Sequence, residues 1–544
     1  MLKSLNFLFA FLPAICLAQP TFTTSPAFET GSKNPVSTRG IFKTGTDDNV
    51  LVVYRSTKVV SSFTGKKEYN TWAADVFTPD FERLKKNELE KLEMPNGEPE
   101  DYCSAVYFSG APCLIAQQYH KKEKKMHVFR CAISPEGKIA PAVQIGSYPA
   151  LQVPDLFSEL EFYSNPDSTE LLSVFMPSSW HYRDPVSFVT FDKNWEVKQS
   201  GTFNLPKRGL DVHVKNPYID TDSAVWMPAW TELPKGGGIK QEIWIWQNPE
   251  SEPESIDLKL DDEKLITDIK ITRAETAGML YIAGTYTKAT KKALKSVPRL
   301  GSHHAQGVFC IKLEAKTRSI QSVFMAPFTL ATLKFWGVDA KEFSKGSGIQ
   351  LLSTEEVIPQ GDGSVVLFLE QAFVSMPSYN ALSRPGNTQF YSVNAPSREH
   401  LGSALVLQFG PDGALKTESI VKKRLKAFVD SGVGHRIFNV QKNTLLLFNN
   451  HIDNITEPAS RYSFLKTCFV TGSIGDLMDQ LGAITAMHFL DAQGKTESKM
   501  VFNFNDTKYW FNPSACMQVG PARYLVGCDG PEGKFGLLRI DMPE

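Results

Sequence analysis

The 544-residue chain has almost no net charge: 58 Lys and Arg stand against 59 Asp and Glu, for a formal charge of −1. That balance removes the general electrostatic case for a nucleic-acid partner or for an anionic membrane surface. Beyond the first 18 residues, no apolar run approaches the roughly 20 residues that a spanning helix needs, so no transmembrane segment is expected. Cysteine is sparse, at eight. No CxxC pair or Cys/His spacing suits a structural zinc, and neither a metal nor a cofactor is expected. There is no GxSxG elbow, HExxH pair, phosphate-cradling glycine loop or Ser-x-Asp-x-Gly-x-Thr-Trp box. Asn449 to Glu457 (NNHIDNITE) is rich in oxygen donors but lacks calcium-loop spacing. These absences exclude the hydrolases and nucleotide enzymes that carry such motifs.

What is present begins with a leader. Lys3 precedes the apolar stretch Leu5 to Ala18, and small residues at Cys16 and Ala18 offer cleavage ahead of Gln19. The stretch is too short to span a bilayer comfortably and reads as a signal peptide, residues 1–18, on an exported chain. Seven cysteines then remain, an odd number for an exported protein. If a turn centres on Ser109 and Gly110, Cys103 faces about Ile115 or Ala116 rather than Cys113. Cys528 falls near the position opposite Cys516, which leaves a bridge there or two buried thiols. Asn454 and Asn505 stand in N-x-T sequons.

The dominant feature is a strand–turn–strand unit that occurs eight times. Its turns fall near Asp80, Glu136, Lys193, Glu250, Ala315, Asp412, Gln493 and Met542. Each unit is preceded by another strand pair whose second member is the most apolar, as in VLVVYRS (Val50 to Ser56), LLSVFMP (Leu171 to Pro177) and TLLLFNN (Thr444 to Asn450). Four strands per repeat, apolar inside and more polar outside, predict an all-β chain forming one closed β-propeller across residues 19–544, with eight four-stranded blades or seven as the alternative. The chain ends after a third strand, so a segment within Ala27 to Thr44 is expected to complete the last blade and remove its free edge.

The excess length lies between second and third strands, at Thr287 to Gly307, Ala372 to Gly402 and His451 to Gly482. In a propeller these connections share one face, where binding is expected. Short helices are predicted over Ser473 to Leu481 and Leu330 to Phe343. Residues just past the apolar second strands form a candidate ring at that face: Arg55, Gln118, His181, Trp230, Tyr286, Glu370, Asn449 and Asp529. Such residues are also polar simply because strand ends reach water. Glu370 follows an apolar run and needs a cation or hydrogen bonds if buried; a neighbouring blade's Arg would serve. The loop from Ser178 to Pro185 places Trp180, His181, Tyr182 and Arg183 in succession. There His181 or Tyr182 would be a base and Arg183 a carboxylate neutraliser in an enzyme on acidic polysaccharide, with Glu370 a channel carboxylate. An ordinary aromatic-rich loop has the same composition. Lys288 to His304 carries five Lys or Arg and a His pair, a composition that would suit an anionic glycan, a phosphate or a metal at His303 and His304, but adjacent histidines rarely both reach one ion and such a basic loop is more often merely solvated; Lys121 to Lys125 reads as a hairpin tip.

The leader, the blade texture and the run VIPQGDGSVVLFLEQ…SALVLQFGPDGALKTESIVKK…LLLFNNHIDN resemble large exported β-propeller proteins of Bacteroidetes, mostly uncharacterised. The resemblance covers roughly Val357 to Asn454 and implies a periplasmic or surface location, the periplasm favoured because no C-terminal secretion module is evident. It transfers no catalytic residue. The functional expectation is a binding or scaffold protein for an unknown protein or glycan, with a lyase or hydrolase acting on acidic polysaccharide as the alternative.

Overall fold

The computed structural model describes residues 19–543 apart from 35, 45–47, 63–64, 96–99, 101, 150–158, 166, 177–185, 204–211, 215, 234–237, 249–250, 262, 275–277, 291–292, 294–303, 376–397, 429–434, 441, 457–459, 467, 471–481, 508 and 531–532. The chain folds as eight antiparallel four-stranded blades arranged in a ring, a β-propeller. From the inside outward, blade 1 has strands Val36–Lys43, Val50–Ser62, Gly65–Phe77 and Arg83–Lys85; blade 2 has Tyr102–Phe108, Ala111–His120, Lys125–Ala132 and Val143–Pro149. Blade 3 follows with Glu159–Ser164, Glu170–Met176, Ser187–Asp192 and Val197–Thr202. The innermost strand of blade 4 is in two pieces, Val212–Val214 and Tyr218–Ile219, followed by Val225–Glu232, Ile239–Trp246 and Glu254–Asp257. Blade 5 has Lys264–Arg273, Met279–Lys288, Gly307–Glu314 and Ser319–Pro327; blade 6 has Leu352–Pro359, Val365–Ser375, Arg398–Phe409 and Leu415–Val421. Blade 7 has His435–Val440, Asn443–His451, Ala483–Leu490 and Thr496–Asn503, and blade 8 has Trp510–Gln518, Arg523–Asp529 and Lys534–Asp541.

The fourth strand of blade 8 comes from the other end of the chain. Thr21–Thr24 pairs antiparallel with Lys534–Asp541, Thr21 opposite Asp541, and Phe28–Glu29 pairs farther along the same strand. Closure by an N-terminal strand is thus as expected, but most of that strand lies upstream of Ala27. The expected segment instead contributes Val36–Lys43, the innermost strand of blade 1. The physical reason for the misplacement is visible in the closing strand itself: Thr21–Thr24 is short, polar and almost wholly exposed, without an apolar alternation to mark it.

Second and third strands form the core because both of their faces are covered by neighbouring blades, so their apolar runs are nearly continuous. Leu51, Val53, Trp72 and Ala74 of blade 1 pack with Leu114, Ala116 and Cys131 of blade 2. Leu172, Val174 and Phe188 of blade 3 meet Val225, Met227 and Trp244 of blade 4 in the same way. The outer turns have their own chemistry. Asp491 accepts the backbone N–H groups of Gln493 and Lys495 at 2.9 and 2.8 Å, and Gly494 takes the positive φ of +82° that follows. In blade 3 Asp192 plays the same part for Asn194 and Glu196, yet Trp195 occupies the left-handed position at φ +66°. Its ring packs at 5.0 Å against Phe108 of blade 2, with the Arg130 guanidinium also 5.0 Å away, and that packing offsets the backbone cost.

All seven described cysteines are free. Cys103 lies opposite Ala116, as the Ser109–Gly110 turn requires. Cys516 lies opposite Val526, while Cys528 lies opposite Phe511, with a bulge between, so the two do not face each other. Among the described residues, no helix is long and apolar enough to cross a membrane.

Candidate binding face and its buried anchors

The two faces of the ring are unequal. The connections at Asp192 to Glu196 and Asp491 to Lys495, between third and fourth strands, are compact turns. The opposite face carries the long connections, and over blades 5 to 7 these build a cap. His304–Ala305, from the blade 5 insertion, pairs with Ile349–Gln350 from the link to blade 6. That link also holds two short helices, Leu330–Phe335 and Ala340–Ser344. The predicted single helix breaks at Gly337, whose φ of +78° ends the first helix; Asp339 then caps the second by accepting the Glu342 N–H at 2.8 Å. Leu425–Phe428 adds to the extended third strand of blade 6, and Cys468–Val470 of the blade 7 insertion adds parallel to it. Leu401, Leu425, Cys468, Ala483 and Phe504 form a small core beneath this layer.

The cap presents aromatic and cationic side chains together. Along Val421 to Leu425 burial alternates with the strand period: Val421, Lys423 and Leu425 point inward, while Lys422 and Arg424 are half-exposed. The Lys422 ammonium sits 5.9 Å from the Phe335 ring and the Arg424 guanidinium 5.6 Å from the Tyr462 ring, both within cation–π range. Phe335 and Tyr462 are themselves 6.4 Å apart. Beside them Phe464 is 64 % exposed, an unusual setting for a large apolar ring, and Arg461 and Lys466 are exposed. Asn450 donates to the Lys422 carbonyl at 2.9 Å and accepts from Asn454, which also exchanges hydrogen bonds with the Lys466 backbone. Asn454, one of the two sequon asparagines, is therefore a buried brace of the cap, its amide fully engaged.

Under this surface lies a buried charged group. Glu370 is 2 % exposed and Lys423 has no exposure. One oxygen of the Glu370 carboxylate contacts the Lys423 ammonium, and the other accepts from His435 Nδ1 at 3.0 Å. Burial pushes the Lys423 ammonium down to about 7, against the opposing pull of Glu355. Burial, reinforced by the Lys423 charge, holds His435 well below its ordinary value, so the imidazole is neutral and donates through Nδ1. Ser403 donates to the Lys423 carbonyl, and the Phe368 ring lies 4.2 Å from that of His435. The need of Glu370 for a cation is met, but by a lysine of its own blade rather than by a neighbour's arginine.

Three of the other ring candidates, Asn449, Asp529 and Trp230, sit at joints between successive blades. Asn449 exchanges two hydrogen bonds with the backbone of Phe511, on the innermost strand of blade 8. Asp529 accepts from the backbone and hydroxyl of Thr38, from Ser37 and from Asn512, which joins blade 8 to blade 1. Trp230 donates its indole N–H to the Ile266 carbonyl of blade 5 at 3.0 Å. Tyr286 is buried against Gly307, where an added Cβ would come within 2.6 Å of its ring. Gln118 is buried on blade 2 opposite His127. Arg55 is half-buried, its guanidinium 5.9 Å from the Trp72 ring. His304 Nδ1 donates to the Gly348 carbonyl oxygen of the cap at 3.3 Å. His181, Tyr182, Arg183, His303 and the predicted helix at Ser473 to Leu481 lie outside the described residues.

The sequence reading missed Lys422, Lys423, Arg424, Tyr462 and Phe464. A signal did exist: in Val421 to Leu425 the strand alternation puts one lysine of a basic triplet in phase with two apolar residues.

No family model matches the chain, and no curated protein matches it. Solved structures do. The β-propeller domain of the Trilobed protease from Pyrococcus furiosus aligns at 12 % identity and a TM-score of 0.33, covering 88 % of this chain and 98 % of that one. The polysaccharide lyase Uly1 aligns at 8 % and 0.37, covering 82 % and 90 %. A protein of unknown function from Dyadobacter fermentans aligns at 9 % and 0.29, covering 65 % and 95 %. At such identities and scores these are likenesses without bearing on what this chain does.

Proposed function

We propose that this chain is an exported binding or scaffold propeller that holds an anionic glycan or protein on its capped face. One observation carries the proposal: Lys422 and Arg424 lie against Phe335 and Tyr462 on a cap that also exposes Phe464, two residues on from Tyr462. Cations beside apolar rings suit a ligand with carboxylates or sulfates along an apolar or sugar backbone. Export is supported by the leader composition of residues 1–18.

The enzymatic alternative, cleavage of acidic polysaccharide, would use the same ligand chemistry. Of its four candidate residues only Glu370 is within the described structure, and there it is buried and committed to Lys423 and His435. That commitment favours binding over catalysis. Calorimetric titration with uronate-rich and sulfated oligosaccharides and with acidic peptides tests the proposal. Arg424→Glu should weaken the best ligand at least tenfold without altering thermal stability. Equal affinity in wild type and variant would overturn the assignment, and unsaturated sugar products would replace binding with elimination.

A further inference from the structure

The second and third strands of blade 2 meet in a four-residue turn, Lys121 to Lys124. The register places Gln118 opposite His127 and His120 opposite Lys125. Side chains two residues apart share a sheet face, so His120 lies on the face of Gln118 and of its cross-strand partner His127. The two imidazole rings accordingly stand 4.1 Å apart, centroid to centroid. Glu123 joins them from the turn, where its backbone N–H donates to the His120 carbonyl at 3.1 Å. One carboxylate oxygen lies 3.4 Å from His120 Nδ1 and the other 3.1 Å from His127 Nε2. A ligand atom from each of the three side chains falls within 4.8 Å of the other two.

These distances match a metal's coordination shell. A tetrahedral zinc with bonds of roughly 2.0–2.1 Å spaces its ligand atoms about 3.3 Å apart. The His120–Glu123 and His127–Glu123 distances are already near that length, though to different oxygens of the carboxylate, and the partly exposed His120 has room to turn toward a shared ion. His127 is largely buried and fixes one corner, whereas Glu123 is exposed and leaves the cluster open to solvent.

We propose that the blade 2 hairpin tip binds a divalent zinc-class cation through His120, Glu123 and His127, with its fourth coordination position open to water or an external ligand. Imidazole with a carboxylate is a donor set for borderline cations such as Zn²⁺ rather than for Ca²⁺ or Mg²⁺. The tip lies on the same side of the ring as the cap, but the proposal rests on the hairpin alone and stands whether or not the cap binds an anion. The exposed Lys121, Lys122, Lys124 and Lys125 oppose a cation by Coulomb repulsion. Salt screens that repulsion, so affinity should rise with ionic strength, the reverse of binding driven by a surplus of negative charge.

The test is equilibrium dialysis of the full chain against Zn²⁺, with Co²⁺ as a spectroscopic substitute. Wild type should take up one Zn²⁺ whose occupancy raises the melting temperature, and Co²⁺ should show the visible absorption of a four-coordinate site. A His120→Ala/His127→Ala variant should lose that equivalent and both signals. Glu123→Gln should weaken binding by at least the roughly 10–100-fold that loss of an outer-sphere partner costs. Melting of the metal-free proteins confirms that the variants are folded. Failure of wild type to bind Zn²⁺, or equal uptake by the double variant, would overturn the proposal and leave the cluster as one histidine–carboxylate hydrogen bond and one longer histidine–carboxylate contact. Loss of anionic-ligand binding in the Arg424→Glu protein would leave this result untouched.

Discussion

Two blade junctions place a buried carboxylate on a second strand, Asp529 at the end of Arg523–Asp529 and Glu370 midway along Val365–Ser375, and satisfy it by different means. At the joint of blades 8 and 1, Asp529 receives four hydrogen bonds, all from neutral donors: the Thr38 N–H and hydroxyl, Ser37 and Asn512. At the joint of blades 6 and 7, Glu370 receives a buried ammonium and a neutral imidazole. The first joint closes the ring beneath a short connection. The second lies beneath the cap, and its lysine belongs to the same basic triplet that sends Lys422 and Arg424 outward. At the first joint these neutral donors supply the hydrogen bonds, and the positive charge of Arg39 adds an electrostatic pull on the carboxylate. A charged pair also links blades 4 and 5, where Arg273 meets Asp220 at 2.7 Å; the blade 6–7 pair differs in being fully buried beneath the cap.

The sharpest way to break the comparison is to remove one charge. Lys423→Met leaves the Glu370 carboxylate buried without its cation and should cost about 3–5 kcal/mol in chemical denaturation. Adding Glu370→Gln to that variant should recover most of the loss, because neither charge is then stranded. No recovery would show that Lys423 acts by packing and not by pairing. At the other joint Asp529→Ala should cost less, about 2–3 kcal/mol, since the Thr38 N–H and the Asn512 amide lose their acceptor while the burial cost of the carboxylate disappears with it. A loss larger than that of Lys423→Met would reverse the ranking of the two joints.

The two joints should also respond oppositely to pH, a smaller effect. Lys423 is lowered by burial to about 7, so between about 7 and 10 the unfolded chain holds a proton there that the folded chain has released. Stability at this joint should therefore rise with pH across that window. His435, lowered from 6.5, acts in the same direction in the acid range, and acidification there costs stability. Asp529 is raised by burial against the pull of its hydrogen bonds. Its folded form takes up a proton before the unfolded chain does, so this joint gains stability as pH falls through the range just above the ordinary carboxylate value. The melting-temperature advantage of wild type over Lys423→Met should therefore grow between about pH 7 and pH 10; parallel curves would show that Lys423 does not titrate in the folded protein.

The blade pattern was legible because second strands such as Val50 to Ser56 and Thr444 to Asn450 are apolar runs between turn residues, and burial on both faces demands that composition. The closing strand was not, since Thr21 to Thr24 lies on an edge where one side faces water and no alternation is imposed. Cys103 could be placed by counting from a two-residue turn, Ser109 and Gly110, whose positive φ values fix the register. Cys516 could not, because the bulge between Phe511 and Cys516 shifts the count. Glu370 was recognisable as a carboxylate in an apolar strand, but its partner Lys423 lies 53 residues on, concealed in a basic triplet that reads as solvated surface. His120, Glu123 and His127 likewise look like part of a charged hairpin tip until the strand register sets both rings on one face.

The central claim is that ligand binding belongs to the capped face over blades 6 and 7 and not to the ring-closing joint. Hydrogen exchange of the full chain with and without a saturating anionic oligosaccharide tests it most directly. The account predicts slowed exchange at Val421 to Phe428 and Arg461 to Leu465, with none at Thr38, Asp529 or the outer turns at Asp412 and Asp491. Protection confined to those outer turns, or centred on the blade 8–1 joint, would contradict it.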